Sequence, residues 1–281
     1  MGKKIKIGII GFGNMGFAIV ERLKPYYEIY IFDKDKDKTR NRQDINVAID
    51  IVALVKAVNA FVVAVKPQDF DGVLDDLKDS VEGKLAISIA AGIPTAFIEK
   101  QLRGARVMRV MPNLPAKVGK GMICVCRGKS ASDQDLKATQ QLFKNLGRVL
   151  LLNEEMIDAA TAISGSGPGY LYDWAEGKSK EEIEKYTTDT FIPSLTATAI
   201  AMGFTPQQAH IMAKVTGMGS IQYLQMSHLS PSELKKQVAS KGGTTEAALE
   251  VLHRGGSLTG AAQAAYRRAR ELSNETCNFS S

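Results

Sequence analysis

The chain is poor in the residues from which metal centres and disulfide frameworks are built: of its 281 residues only three are cysteine and three histidine. An odd number of cysteines fits a reducing compartment better than a set of bridges. Cys124 and Cys126 fall on one face of a strand pattern, with no second pair at metal-ligand spacing. They are expected to be buried strand residues, and no metal is expected. His210, His228 and His253 are scattered over helical segments and converge with no carboxylate cluster, so packing or surface roles are expected of them. No apolar run approaches the roughly 20 residues of a membrane span. Met1-Gly2-Lys3-Lys4 leads straight into a strand pattern, with nothing that reads as a secretory leader. A soluble, cytoplasmic protein without a membrane partner is therefore expected. A dense basic cluster is also missing: 36 cations and 30 anions are spread along the chain, giving a net charge of +6. That balance suits small anionic ligands and argues against nucleic acid.

What the chain does have is glycine at telling positions. Gly8-Ile9-Ile10-Gly11-Phe12-Gly13-Asn14-Met15-Gly16 follows the apolar run Ile5-Lys6-Ile7 and opens into a helical pattern. Strand, tight turn and helix in this order are expected to form a dinucleotide-binding unit, the alternative being a purely structural turn: Gly11 makes the turn, Gly13 leaves room for a pyrophosphate, and Gly16 packs helix on strand. The helix start then offers N–H groups and a positive dipole end to the phosphates. A second strand, Ile29 to Phe32, ends in Asp33, 22 residues after Gly11. A carboxylate there accepts hydrogen bonds from ribose hydroxyls and repels a 2′-phosphate, so NADH is favoured over NADPH, although cations in the run from Lys34 to Arg40 could reverse this. Those lysines are otherwise expected to lie in a solvated, charge-alternating loop.

Strand and helix keep alternating, as in a parallel sheet covered on both faces. Asn59 to Val65 and Lys84 to Ala90 read as buried strands. Lys66, Pro67, Ala91 and the Arg109-Val110-Met111-Pro112-Asn113-Leu114-Pro115-Ala116 segment fall at the carboxyl edges of strands, where open α/β sheets bind ligands. Gly121 to Cys126 and Arg148 to Leu152 read as strands around a helix from Asp133 to Lys144 capped by Ser132. Strand signals stop at Met156. Thr205-Pro206-Gln207-Gln208 and Ser230-Pro231-Ser232-Glu233 are helix-start signatures, and Ser179 with Glu182 makes another. The helix from Pro206 carries Ala209, Met212, Ala213, Thr216, Gly219, Ser220 and Tyr223 on one face, a small-residue stripe that lets another helix approach. Residues 1-155 are thus expected to form a Rossmann-type domain, an α/β mostly parallel sheet with helices on both faces. Residues 156-281 are expected to form an all-α dimerisation domain. Ser240-Lys241-Gly242-Gly243-Thr244-Thr245-Glu246 then places consecutive glycines before a helix start, an arrangement that either holds a carboxylate or phosphate or merely provides a threonine cap.

GIIGFGNMG, AVKP, AAG, MPNLPA with VGKGM after it, SGSGP, and SKGGTT with Gly255-Gly256 downstream occur in this order over nearly the whole chain. In that combination the sequence resembles the pyrroline-5-carboxylate reductases. The resemblance implies reduction of the cyclic imine 1-pyrroline-5-carboxylate to L-proline with NAD(P)H, by a homodimer or larger homo-oligomer joined through its C-terminal helices. It implies that Gly11, Gly13, Asn14 and Met15 hold the pyrophosphate, and that Ala64, Lys66, Pro67, Ala91, Asn113 and Pro115 line the nicotinamide side. It implies that Gly243, Thr244 and Thr245 receive the substrate carboxylate, with Thr245 and Ser240 as the catalytic pair and the Thr245 hydroxyl on the ring nitrogen. Departures from the family pattern are Lys241 in place of a proline, Leu114 in place of a threonine, and an apparent insertion from Tyr172 to Glu182 followed by Pro193 inside a helix. The competing readings are a β-hydroxyacid dehydrogenase, whose catalytic lysine is missing after Gly165-Ser166-Gly167, and a dinucleotide-binding regulator without turnover.

Overall fold

The computed structural model describes residues 4–278, with side chains as far as residue 274. Its eight strands form one sheet in the order β3-β2-β1-β4-β5-β6-β7-β8. They are β1 (Lys6–Ile10), β2 (Glu28–Phe32), β3 (Asn46–Val47), β4 (Ala60–Val63), β5 (Leu85–Ser88), β6 (Arg106–Pro112), β7 (Gly121–Arg127) and β8 (Gly147–Leu151). By compactness the chain falls into two units, residues 1–110 with 125–145, and residues 111–124 with 146–281. A single cut after residue 155 would leave the segments 111–124 and 146–155 on the other side.

In the first unit β1 to β6 pair in parallel, and β1 lies between β2 and β4. The strand order therefore reverses at β1, and the carboxyl ends of β1 and β4 flank the crevice where such sheets take ligands. Every residue of β4 and β5 is buried, as continuous apolar runs covered on both faces require. The crossovers are α1 (Asn14–Leu23), α2 (Ile51–Ala57), α3 (Phe70–Leu77) and α4 (Thr95–Gln101), with α5 (Asp133–Phe143) further along the chain. One core of Ile10, Leu54, Phe61, Phe70, Leu74 and Ile98, with their neighbours, lies between α2, α3, α4 and the sheet. Asp50 caps α2, and Ser132 with Asp135 closes a complete capping box on α5.

The second unit is helical from residue 157 onward: α6 (Ile157–Ala160), α7 (Gly167–Trp174), α8 (Lys180–Tyr186), α9 (Ile192–Ala201), α10 (Pro206–Ser227), α11 (Pro231–Val238), α12 (Thr244–His253) and α13 (Leu258–Asn278). The boxes at Ser179, Thr205 and Ser230 form as their residues dictate. The segment around Pro193 resolves into a helical run, α8 to α9, joined by a π-helical turn at Thr187–Phe191. Proline cannot donate to the helix ladder and its ring crowds the carbonyl four residues back; a widened turn just before Pro193 relieves both.

The small-residue stripe of α10 is covered within the protomer. All seven of its residues are buried, and α10 packs on α9, α7 and the turn Leu114–Val118. A Cβ on Gly219 would stand 2.3 Å from the Lys120 carbonyl oxygen. Glycine is obligatory there. Cys124 and Cys126 are buried in β7, and burial pushes the Cys124 thiol up to about 12. Among the described residues no helix is long and apolar enough to cross a membrane. Nor do three or more metal-ligating side chains meet among them.

Candidate active site

The glycine turn of the first unit is held from both ends. The Gly11 amide donates to the Phe32 carbonyl at 2.8 Å and the Phe12 amide to Asp33 Oδ2 at 2.6 Å. Gly11 sits at φ +97°, and a Cβ on it would meet the Ala64 carbonyl oxygen at 2.6 Å; one on Gly16 would meet the Gly11 carbonyl oxygen at 2.0 Å. The protein itself therefore demands glycine at both positions. Gly13 differs, because a Cβ there would meet nothing within 4 Å. Its openness faces outward, at the start of a helix with no side-chain cap and no acidic residue in the first turn. An anion approaching the first turn, with Asn14 and Met15, is what such a cradle fits.

Asp33 is buried, and its carboxylate is already engaged. Besides Phe12 it accepts the Asp35 amide at 2.9 Å and faces Lys38 Nζ at 3.3 Å. The turn Lys36–Lys38, capped by Asp35, brings that lysine back onto it. Lys38 is thus an ion-pair partner, where the sequence pattern favours a solvated cation. Burial alone pushes Asp33 up, but the two amides and the Lys38 ammonium outweigh it and hold the carboxyl below its ordinary value. A depressed folded-state pKa contributes stability above the ordinary carboxylate range and loses it as pH falls through the depressed value. Asp33→Asn should therefore melt below the wild type at pH 7, and the gap should narrow as the pH falls from 5 toward 3. Melting curves across that range check this; a gap independent of pH overturns it.

Along the same edge Ala64 follows β4, its amide donating to the Ile10 carbonyl at 2.7 Å. Lys66 is exposed, Pro67 opens a short 3-10 turn into α3, and Ala91 is half-buried after β5. The structure brings these together with the glycine turn as neighbours at the carboxyl ends of β1, β4 and β5.

In the second unit Asn113 is a buried brace: its Nδ2 donates to the Ser164 carbonyl at 3.0 Å and its Oδ1 accepts the Met122 amide at 2.8 Å. It holds the loop before Leu114 and the buried Pro115 in place. At the start of α12 the cap is Gly243, so neither threonine serves as one. The Gly243 amide is taken by the Ser240 carbonyl at 2.9 Å, which removes it from the donors expected for a carboxylate and leaves the first-turn amides of Thr244 and Thr245. Ser240 is itself exposed. Glu246 takes the Gly242 amide at 2.6 Å, and Arg268 on α13 ties down the Gly242 carbonyl at 2.8 Å.

The threonine hydroxyls turn inward to a residue that spacing alone does not single out. Thr245 Oγ1 donates to Ser166 Oγ at 3.0 Å, and Thr244 Oγ1 lies 3.0 Å from the same oxygen. Ser166 is wholly buried between the π-helical turn Thr161–Gly165 and α7. Gly169 makes the approach possible, since a Cβ there would lie 2.5 Å from Thr245 Cγ2. The signal was the repeated glycine around Ser166 in SGSGP; its partner was not legible.

A glycine cradle at the switch point of a parallel sheet is the cofactor-binding arrangement of nicotinamide-dependent oxidoreductases. Residues 6–92 match a family model described as NADP oxidoreductase, coenzyme F420-dependent, and residues 187–275 match pyrroline-5-carboxylate reductase dimerisation. The pyrroline-5-carboxylate reductase of Methanosarcina acetivorans is 31% identical over 96% of this chain and 97% of its own length. That of Aquifex aeolicus is 32% identical over 90% of each. Among solved structures, the Plasmodium falciparum pyrroline carboxylate reductase with NADP bound is 26% identical, with a TM-score of 0.64 over 97% of this chain and all of that one. The Coxiella burnetii enzyme is 28% identical, also at 0.64, over 96% and 99%. The chain belongs to the pyrroline-5-carboxylate reductase family.

Proposed function

We propose that this protein reduces 1-pyrroline-5-carboxylate to L-proline, the last step of proline biosynthesis, as a cytoplasmic homo-oligomer joined through its C-terminal helices. The observation that carries the reading is the Thr245–Ser166–Thr244 hydroxyl group at the uncapped start of α12. It offers what a small cyclic imine acid needs, helix-start amides for the carboxylate and a hydroxyl for the ring nitrogen. Residues 1-155 serve the cofactor and 156-281 the substrate.

Gly11, Gly13, Asn14 and Met15 would hold the pyrophosphate, and Asp33 the adenosine ribose. Ala64, Lys66, Pro67, Ala91 and Pro115 would line the nicotinamide side, with Asn113 fixing the loop that carries Pro115. The reduced nicotinamide, when bound, supplies the hydride. This chain's own part is orientation. The amides of Thr244 and Thr245 take the carboxylate, and Thr245 Oγ1 aligns the imine nitrogen and gives it a hydrogen bond as the π pair moves onto it. Ser240 shapes the turn from which these amides project. Hydride must meet the C=N carbon while the nitrogen is held on Thr245, so positioning carries much of the barrier reduction.

The test is oxidation of NADH and of NADPH with 1-pyrroline-5-carboxylate, against a cyclic imine lacking the carboxylate. Selective turnover of the carboxylated imine supports the reading, and the cofactor ratio measures the net effect of Asp33 with its Lys38 partner. Thr245→Ala should lower kcat by roughly 10- to 100-fold in a protein that still folds. Dinucleotide binding without turnover of either imine would leave the regulator reading instead.

A further inference from the structure

We infer that Ser166 is a positioning residue for the imine nitrogen, acting through Thr245 as the middle link of a three-hydroxyl proton chain. The inference rests on the proposed reductase activity and extends it to a residue outside the glycine–threonine turn. Ser166 has no exposed surface, yet two side-chain hydroxyls from α12 converge on its oxygen, each at 3.0 Å. Burying a hydroxyl is costly unless it is paired, and Ser166 is paired with both threonines and also contacts the Tyr170 phenol. The backbone around Ser166 is shaped to permit it. Its amide donates back to Thr161 at 2.8 Å across the π-helical turn, and Gly169, one turn on, gives way to the Thr245 methyl. π-helical turns inside helices often mark functional positions. The neighbouring Tyr170 phenol, kept neutral by burial, gives its own proton to the Ala162 carbonyl at 2.9 Å and so can only accept from Ser166.

A hydroxyl has one proton, and at rest the Thr245 proton points to Ser166. Once it points to the imine nitrogen instead, the Thr245 oxygen needs a donor. Ser166 supplies one and turns to accept from Thr244, which is only half-buried and can draw on water. When a neutral imine is reduced, its carbon receives a hydride from the reduced nicotinamide and its π pair moves to nitrogen. The nitrogen takes the Thr245 proton, Thr245 takes that of Ser166, Ser166 that of Thr244, and Thr244 one from water. Each bond broken in the chain is matched by one formed, and the only species consumed are hydride and one solvent proton.

The experiment compares wild type, Ser166→Ala, Thr245→Ala and the double variant, reading kcat and KM together with calorimetric binding of L-proline and of cyclopentanecarboxylate, which has the carboxylate and ring but no nitrogen. Ser166→Ala is expected to lower kcat about tenfold with little change in KM, to weaken proline about tenfold, and to leave cyclopentanecarboxylate binding unchanged. In the Thr245→Ala background the same change should have no further effect, because the residues act as one unit. Additive losses, or equal weakening of both ligands, would make Ser166 a packing residue and overturn the inference, as would an unchanged kcat. If the wild type itself neither turns over the imine nor prefers proline to the nitrogen-free acid, the reductase reading fails first and the inference falls with it.

Discussion

Gly11→Ala should cripple the fold of the first unit, whereas Gly13→Ala, two residues on, should leave it untouched and abolish most dinucleotide binding. At Gly11 the cost has two sources: φ of +97° is hostile to any L side chain, and the new methyl would sit 2.6 Å from the Ala64 carbonyl oxygen. That carbonyl is backbone, directly after a residue whose amide is bonded to β1, so little room can be made for the methyl. Left-handed strain plus overpacking amounts to roughly 2–4 kcal/mol. In a chain of this size that is a melting-temperature loss on the order of 10 °C. At Gly13 the backbone is ordinary extended chain and a Cβ meets no atom of the protein, so the melting temperature should hold. The reason for glycine there must lie outside the chain. A methyl filling the phosphate approach should weaken NADH and NADPH binding by about 10- to 100-fold, or ~1.4–2.7 kcal/mol. Thermal melts and calorimetric titration of the two variants decide it. Equal binding by Gly13→Ala would reduce the cradle to a structural turn.

Much of this was legible because it is local. A turn that needs positive φ can be met by glycine within a few residues. Caps at Ser132, Ser179, Thr205 and Ser230 use partners three residues away, and the apolar runs of β4 and β5 state their own burial. What escaped depends on side chains meeting across long stretches of chain. Asn113 lies at a strand edge, as read, yet both ends of its amide are bound internally, one of them to a carbonyl 51 residues on. Ser166 meets threonines 78 and 79 residues on, and nothing in the local pattern selects it from the other serines. Lys38 escaped for a subtler reason. Its charge-alternating run does form an exposed turn, but the tightness of that turn folds one ammonium back onto a buried carboxylate, and helix or strand periodicity carries no trace of it. The stripe on α10 does admit close helix approach, and α9 and α7 of the same protomer pack on that helix.

Gly169→Ala should remove activity almost completely, and the loss should be reversed by a second substitution that on its own brings no gain. The methyl at residue 169 would lie 2.5 Å from Thr245 Cγ2, with Val238 next at 3.5 Å, so α7 and α12 cannot separate at this point without moving Thr245 itself. Thr245 sits in the first turn of α12, where its amide and its hydroxyl would both serve the substrate. A displacement of even an ångström misaligns both, and misplacement on that scale costs on the order of 100-fold in rate, about 2.7 kcal/mol. Thr245→Ser deletes the clashing methyl and keeps the oxygen on Ser166. Alone it frees one rotamer and should slow turnover only a few-fold. Combined with Gly169→Ala it should restore the rate nearly to that of Thr245→Ser, a coupling of roughly 2 kcal/mol between residues in contact. Steady-state kinetics of the four proteins measure that coupling directly. Failure of the serine to rescue would mean that Gly169 is required by the packing of α7 on α11 rather than by the placement of the Thr245 hydroxyl.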